Sequence, residues 1–301
     1  PDVLAGMNPY IAGSSGLVTN DIGIPGAQGF GVGICPLSPA GFTGLSGYAD
    51  KTNDAYGNYK YSDGSIMCWI PKFYYRIGHA SNPTYEVHGV NSVDIKGVLD
   101  FASTSAANDA GYALHRAFID GDTEQPGFFF DKYMCSKNAK GAGYVGSSIQ
   151  NGLPLSTNSA HNQLTDLTAC AANNYSETIN AAHARDGVDG AVNASSIFHV
   201  PSRMQYAALA LLALAHGQAS SSTTNCAWYH ATYNYPKGCN NKALKDANDT
   251  AVIWESDGYS NCGKTGSAGY GGGAGNVFAK STHNGQNCGV ADLNGLMWEV
   301  S

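Results

Sequence analysis

Between residues 202 and 216 the chain reads as a helix with no wet side. Ser202 stands where an N-cap belongs and Gln205 follows three residues later, the capping-box spacing that satisfies orphan amides at a helix start. The body, Tyr206-Ala-Ala-Leu-Ala-Leu-Leu-Ala-Leu-Ala215, is apolar almost all round, so the rest of the chain has to bury it. His216 falls in the last turn and Gly217 in the place of a C′ residue. The run is about half the roughly 20 residues that a spanning helix needs, so membrane insertion is not expected. Whatever fold forms has to wrap this element.

The material available for wrapping is rich in turns. Glycine occurs 38 times in 301 residues, and charged residues make up 13%, about half the usual share of roughly 25%. With 43% hydrophobic residues a core is possible and compositional disorder is excluded. Three strand regions are predicted. The first, 65–77, alternates through Ile66, Cys68 and Ile70 and is interrupted by Pro71, which implies a bulge or two strands. The second, 85–98, is broken by Gly89, and the third, 127–134, is carried by Phe128, Phe129, Phe130 and Tyr133. A second main helix is predicted over 158–173 from Leu164, Leu167 and Ala171, and a short one over 177–185. Residues 1–60 hold many breakers and read as a loop- and strand-rich connecting or anchoring segment ahead of a domain over 61–301. The class is α+β. The first residue is Pro, so neighbouring segments are expected to be missing at either end.

A net charge of −7 with no basic run argues against nucleic acid as a partner and against anionic membrane surfaces. The eight cysteines form no C-x-x-C pair and no zinc spacing. Four of them, Cys226, Cys239, Cys262 and Cys288, lie in Gly/Asn/Ser/Tyr-rich sequence where disulfides would help; buried free thiols are the alternative. Bridges would imply work outside a reducing cytosol.

The closing segment, Cys288-Gly-Val-Ala-Asp-Leu-Asn-Gly-Leu-Met-Trp-Glu-Val300, resembles the G-L-Y-D-M-S-G-N-V-W-E-W signature of the C-type lectin fold of formylglycine-generating type. Gly127-Phe-Phe-Phe-Asp-Lys-Tyr-Met-Cys-Ser136 is similar to that family's early F-x-I-D-K-Y-E-V strand. Val200-Pro-Ser-Arg-Met-Gln-Tyr-Ala-Ala-Leu209 is similar to its L-P-T-E-A-E-W-E-Y-A helix start, and the three occur in the family's order over 116–301. The resemblance implies a C-type-lectin-like fold of small twisted antiparallel sheets, two main helices and long loops. Asn294, Gly295 and Trp298 would be its structural anchor, a turn followed by a ring that takes about 150–250 Å² out of water. Enzymatic members carry a cysteine pair beyond the W-E-W motif. This sequence stops three residues after Trp298, so that activity is not carried over, and the domain is expected to be C-terminally incomplete.

The non-enzymatic branch of the family includes the variable receptor-binding proteins of diversity-generating retroelements, displayed on phage tail fibres and bacterial surfaces. Residues 226–288 share their Tyr/Asn/Ser-rich character. The candidate ligand-binding residues are Trp228, Tyr229, His230, Tyr233, Asn234, Tyr235, Tyr259, Asn261, Tyr270, His283 and Asn284. Tyr and Trp give contact area at little entropic cost, and Asn and Ser adapt their hydrogen bonding. The resemblance implies a virion-surface, extracellular protein of a bacteriophage that attaches to a host receptor or glycan. Other virion proteins would be its partners, and a homo-oligomer, a trimer for a fibre tip, its assembly. A capsid or tail decoration protein is the alternative. A formylglycine-generating oxidoreductase comes third.

Catalytic motifs are missing: there is no G-x-S-x-G, H-E-x-x-H or P-loop. No enzyme and no cofactor are expected. Asp246, Asn248, Asp249, Glu255 and Asp257 could offer oxygens to Ca²⁺, but without EF-hand spacing a solvated acidic loop is the favoured reading.

Overall fold

The computed structural model describes residues 20–156, 162–238, 246, 248–250, 252, 278–291 and 293. Strands β1 (Phe42–Gly44), β2 (Asn58–Tyr61) and β3 (Ile66–Pro71) run antiparallel, in the sheet order β1, β2, β3 and then β9 (Gly127–Asp131). A second antiparallel sheet places β4 (Phe73–Ile77) between β5 (Val93–Gly97) and β6 (Ala113–Leu114). Three small ladders complete the strands of the described residues. They pair β7 (Ile119–Asp120) with β8 (Thr123–Glu124), β10 (Cys135–Lys140) with β11 (Gly143–Ser148), and β12 (Leu155–Ser156) with β13 (Asn162–Gln163). Among the described residues the α-helices are α1 (Tyr85–His88), α2 (Thr104–Asp109), α3 (Glu177–His183) and the long α4 (Arg203–Ala219). The class is α+β with small, mostly antiparallel sheets and few helices.

Period-2 alternation in β3 feeds both faces of the main sheet. Cys68 and Ile70 point into the principal core with Phe130, while Met67 and Trp69 point the other way. On that second face Phe129 meets Trp69 across the strand pair at 4.9 Å and stacks on Phe42 at 4.4 Å. Aromatic cross-strand pairs of this kind contribute about 0.5–1.5 kcal/mol beyond area burial. Lys72 is the break between β3 and β4: its amide makes a last bond in the β3–β9 register, donating to Pro126 O at 2.8 Å, before the chain enters the second sheet.

Helix α4 is the centre of the principal core. Ser202 caps it, and Gln205 completes the box by accepting from the Ser202 amide at 2.8 Å. Ala208, Leu209, Leu212 and Ala215 are buried against Val93 and Ile95 of β5 and against Phe73, whereas Leu214 stays half-exposed, so the helix has one wet edge after all. It also runs to Ala219, past the expected end at Gly217. Gly217 is a packing residue instead of a terminator: a Cβ there would stand 3.2 Å from both the Trp228 ring and Asn234 O.

Three expectations are corrected. Residues 20–60 do not form a separate connector: Ile22, Phe30, Val32 and Ile34 lie in the same core as α4, and β1 and β2 belong to the main sheet. Residues 85–98 start as α1 and a 3-10 turn, with only Val93–Gly97 extended. The described part of 158–173 is no α-helix but β13 followed by a 3-10 turn, Leu164–Asp166. There the Asp166 carboxylate folds back onto the Gln163 amide, and Leu164 and Leu167, three apart, fill a satellite cluster with Cys170 and Ala181 without needing a further turn.

Just past α3, Arg185 is 5% exposed and ties three segments together. Its Nη1 donates to both Asp131 oxygens at 2.9 and 2.8 Å, Nη2 donates to Ser65 Oγ at 2.5 Å, and Nε lies 3.5 Å from Asp63 Oδ2. The guanidinium also lies over Phe198, 4.5 Å from the ring centre.

Candidate functional site

The residues nominated from the sequence divide into an inner frame and an outer ridge. The frame begins with Cys226 and Trp228, which follow α4 through a polar turn. Trp228 is 1% exposed; its Nε1 donates to Thr282 O at 2.9 Å, and its ring meets His216 edge-on at 6.0 Å. His283 accepts from the Val290 amide on Nδ1 and donates from Nε2 to Gly31 O, both at 3.1 Å. Asn284 donates to Phe30 O at 2.8 Å. Trp228, His283 and Asn284 are thus interior struts and not the exposed ligand contacts expected of them. Their partners are main-chain groups of residues 27–31 and 279–290, so these polar side chains substitute for strand pairing where the backbone is irregular.

His216 works in the same way. It is fully buried, accepts from Gly26 N at 3.1 Å, donates to Asn225 O at 2.9 Å and stacks on Phe30 at 5.3 Å. Burial holds both imidazoles neutral, pulling each pKa down to about 4. Cys226 and Cys288, nominated for disulfides, carry free buried thiols, and burial lifts the Cys226 pKa to about 12. Such protonated thiols are poor nucleophiles.

The ridge is 229–235. His230 and Tyr233 stack at 5.4 Å, and the His230 Nδ1 accepts from the Thr232 and Tyr233 amides at 3.0 and 3.1 Å. Tyr233 and Tyr235 are 38% and 37% exposed, Tyr229 is half-buried, and Asn234 turns inward to donate to Gly217 O at 2.6 Å. Beneath the ridge Lys237 is buried. Its ammonium hydrogen-bonds Tyr233 O and lies 4.1 Å from the Tyr235 ring centre, and desolvation lowers its pKa. Tyr235 Oη accepts from Asn248 Nδ2 at 2.5 Å. The ridge therefore presents aromatic faces whose backbone and lower edges are already pinned.

Asp246 accepts on Oδ1 from the Asn248 and Asp249 amides at 2.9 Å each, and Asp249 pairs with Lys280 at 2.8 Å. Of the oxygens nominated for Ca²⁺, Asp246 Oδ1 and Asp249 Oδ2 are thus engaged within the protein, while Asp246 Oδ2 is buried without a hydrogen-bond partner; Glu255 and Asp257 lie outside the described residues. So do Tyr259, Asn261, Tyr270, Cys239, Cys262, Asn294, Gly295 and Trp298. Among the described residues no group of three His, Cys, Asp or Glu is placed to hold a metal ion.

Sequence reasoning missed two features. One is Lys132, within the 127–136 stretch: it is 4% exposed, bonded to Asn58 Oδ1 and, at 2.5 Å, to Asn287 O, and burial depresses its pKa. The other is a polar cleft of about 260 Å³ between 51–54, 223–225 and 285–288. Segments so far apart leave no spacing signal to find. No protein-family model and no curated protein matches this chain.

Proposed function

We propose that this protein is a recognition module and not an enzyme: a virion-surface attachment protein of the phage tail-fibre type, with a C-type-lectin-like scaffold that holds the 229–235 ridge toward a host receptor or glycan. The observation that carries the reading is the pairing of an exposed aromatic ridge with a hydrogen-bonded frame beneath it. Tyr233, Tyr235 and His230 offer ring faces to a partner, while Trp228, Lys237 and Asn234 hold their backbone in place. Pre-organised aromatics bind without a large ordering cost. The order of the three lectin-like segments in the sequence supports the scaffold. The test is attachment of the labelled chain to a panel of bacterial strains, wild type against Tyr229→Ala/Tyr233→Ala/Tyr235→Ala. The expected result is attachment by the wild type that the folded variant has lost. Equal attachment by the variant refutes the site.

A structural role in a capsid or tail is favoured by a different feature, a cleft of about 1960 Å³ walled by Phe42, Trp69, Phe128, Phe129 and Phe198. An apolar recess of that size suits a neighbouring subunit, and in that reading the tyrosines are buried at subunit contacts in the assembled particle instead of facing outward.

A further inference from the structure

One edge of the main sheet opens into the larger cleft. Strand β9 is bonded to β3 on one side and to no strand on the other among the described residues. The register shows which groups are left over. Lys72 N donates to Pro126 O and Lys132 N to Ile66 O, so in this antiparallel ladder Phe128 and Phe130 exchange bonds with β3. Gly127, Phe129 and Asp131 turn their amides and carbonyls the other way, and none of these groups has a hydrogen-bond partner among the described residues. All of β9 lines the cleft, and these three residues are half-buried, so their outward groups are within reach of what fills it. Exposed edges are usually blunted by shortness, Lys, Pro or a bulge. The opposite edge, β1, has 3 residues, whereas β9 runs unbroken as Gly-Phe-Phe-Phe-Asp.

The surroundings select the occupant. At about 1960 Å³ the cleft is about twice the upper end of the roughly 300–1,000 Å³ that hold drug-sized ligands, which is room for a stretch of polypeptide. Because β9 lies inside the cleft, a single extended chain reaches its edge, while the sheet of a second copy would first meet the walls. Of the charged side chains in the lining, Lys72 pairs with Glu124 at 2.9 Å and Arg185 with Asp131 at 2.8 Å. Asp120 and Asp122 are left exposed and without an ion pair among the described residues. They belong to the β7–β8 hairpin, which leads through Gln125 and Pro126 into β9, so the unbalanced negative charge stands at the Gly127 end.

We propose that β9 takes an added strand. An extended segment of another polypeptide pairs with the main chain of Gly127, Phe129 and Asp131, lays apolar side chains on Phe42, Phe129 and Phe198, and sets a Lys or Arg beside Asp120 and Asp122. This goes beyond the reading of the cleft as a subunit contact by fixing the backbone conformation of the occupant. It is independent of the tyrosine ridge, none of whose residues lines the cleft.

The test adds two peptides to the full chain, acetyl-Lys-Val-Thr-Val-Thr-Val-Thr-amide and acetyl-Thr-Val-Thr-Val-Thr-Val-Lys-amide, one for each strand direction, and follows amide exchange by NMR. At least one is expected to bind and to slow exchange at Phe129 and Asp131. Glu in place of its Lys is expected to weaken binding about fivefold, and Asp120→Asn/Asp122→Asn to remove that difference. Of two versions N-methylated on alternate residues, the one whose methyls face β9 is expected to lose binding. The proposal is overturned if neither peptide binds at millimolar concentration, or if both methylated versions bind like the parent. Binding that shifts Phe198 but leaves exchange at Phe129 and Asp131 unchanged overturns the added strand and leaves the subunit reading standing. Without peptide, a dimer that the peptide disperses assigns the groove to a second copy, and a monomer with both amides already protected assigns it to the chain itself; either result overturns the proposal.

Discussion

Two buried imidazoles make this fold sensitive to mild acid, and the size of the effect follows from their surroundings. His216 and His283 are each fully buried, with both ring nitrogens bonded to main chain, and their pKa values fall from 6.5 to about 4. Each Nδ1 accepts an amide proton, so protonation would destroy that bond as well as bury a charge. In the unfolded chain the same rings take up protons near their ordinary pKa of roughly 6.5. Between about pH 6.5 and about pH 4 the unfolded state thus holds more protons than the native one, and stability falls as pH falls. At about pH 5 each residue lies roughly 1.5 units below its unfolded pKa, which costs about 2 kcal/mol apiece, or about 4 kcal/mol for the pair. The charges also oppose one another, since a protonated His216 further lowers the His283 pKa. His115, likewise held down to about 4 by burial, acts in the same direction. With a urea m-value of about 3 kcal/mol/M, the pair alone moves the unfolding midpoint down by more than about 1 M between pH 7 and pH 5. His216→Gln/His283→Gln should be less stable at pH 7 yet lose most of this slope. An unchanged wild-type midpoint at pH 5, or NMR titration of both rings near 6.5, would refute the reasoning.

Two further outcomes follow from buried groups. Arg185→Ala strips Asp131 and Asp63 of their buried guanidinium partner; a loss of about 3–5 kcal/mol is expected in chemical denaturation, and a loss under about 1 kcal/mol would mean that solvent reaches the carboxylates. Cys35, Cys68, Cys135, Cys170, Cys226 and Cys288 are free thiols, so the chain unfolded without reductant should titrate at least six of them, and a lower count would contradict the structure.

What could be read from the sequence was local. The Ser202 box, the short helix over 177–185 and the division of 65–77 at Pro71 each depend on residues within a few positions of one another, and each has a counterpart in the structure. The composition that marked 226–288 as a recognition surface was ambiguous for a physical reason. Tyr, Trp, His and Asn suit a paratope, and they equally suit an irregular interior where side chains must replace sheet hydrogen bonds. Which role each takes depends on a partner far away in the chain: Gly31 O draws His283 inward and Phe30 O draws Asn284, while Tyr233 and Tyr235 meet no such acceptor among the described residues and stay at the surface. The predicted helix over 158–173 failed because Leu164 and Leu167, spaced three apart, fit a single 3-10 turn as well as an α-helix. The cleft at Asn287 had no local trace, its walls coming from three separate parts of the chain.

The bonds from Asn284 to Phe30 and from Gln286 to Ala27 and Gly29 join groups 254, 259 and 257 positions apart. During synthesis the carbonyls and amides of 27–30 therefore emerge long before the side chains that satisfy them. They have to wait, hydrated, until the partner segment has also left the ribosome. Closure of so long a loop is entropically expensive and kinetically slow, so the stretch around Phe30 is the portion most exposed to mispairing or proteolysis in a truncated or stalled product.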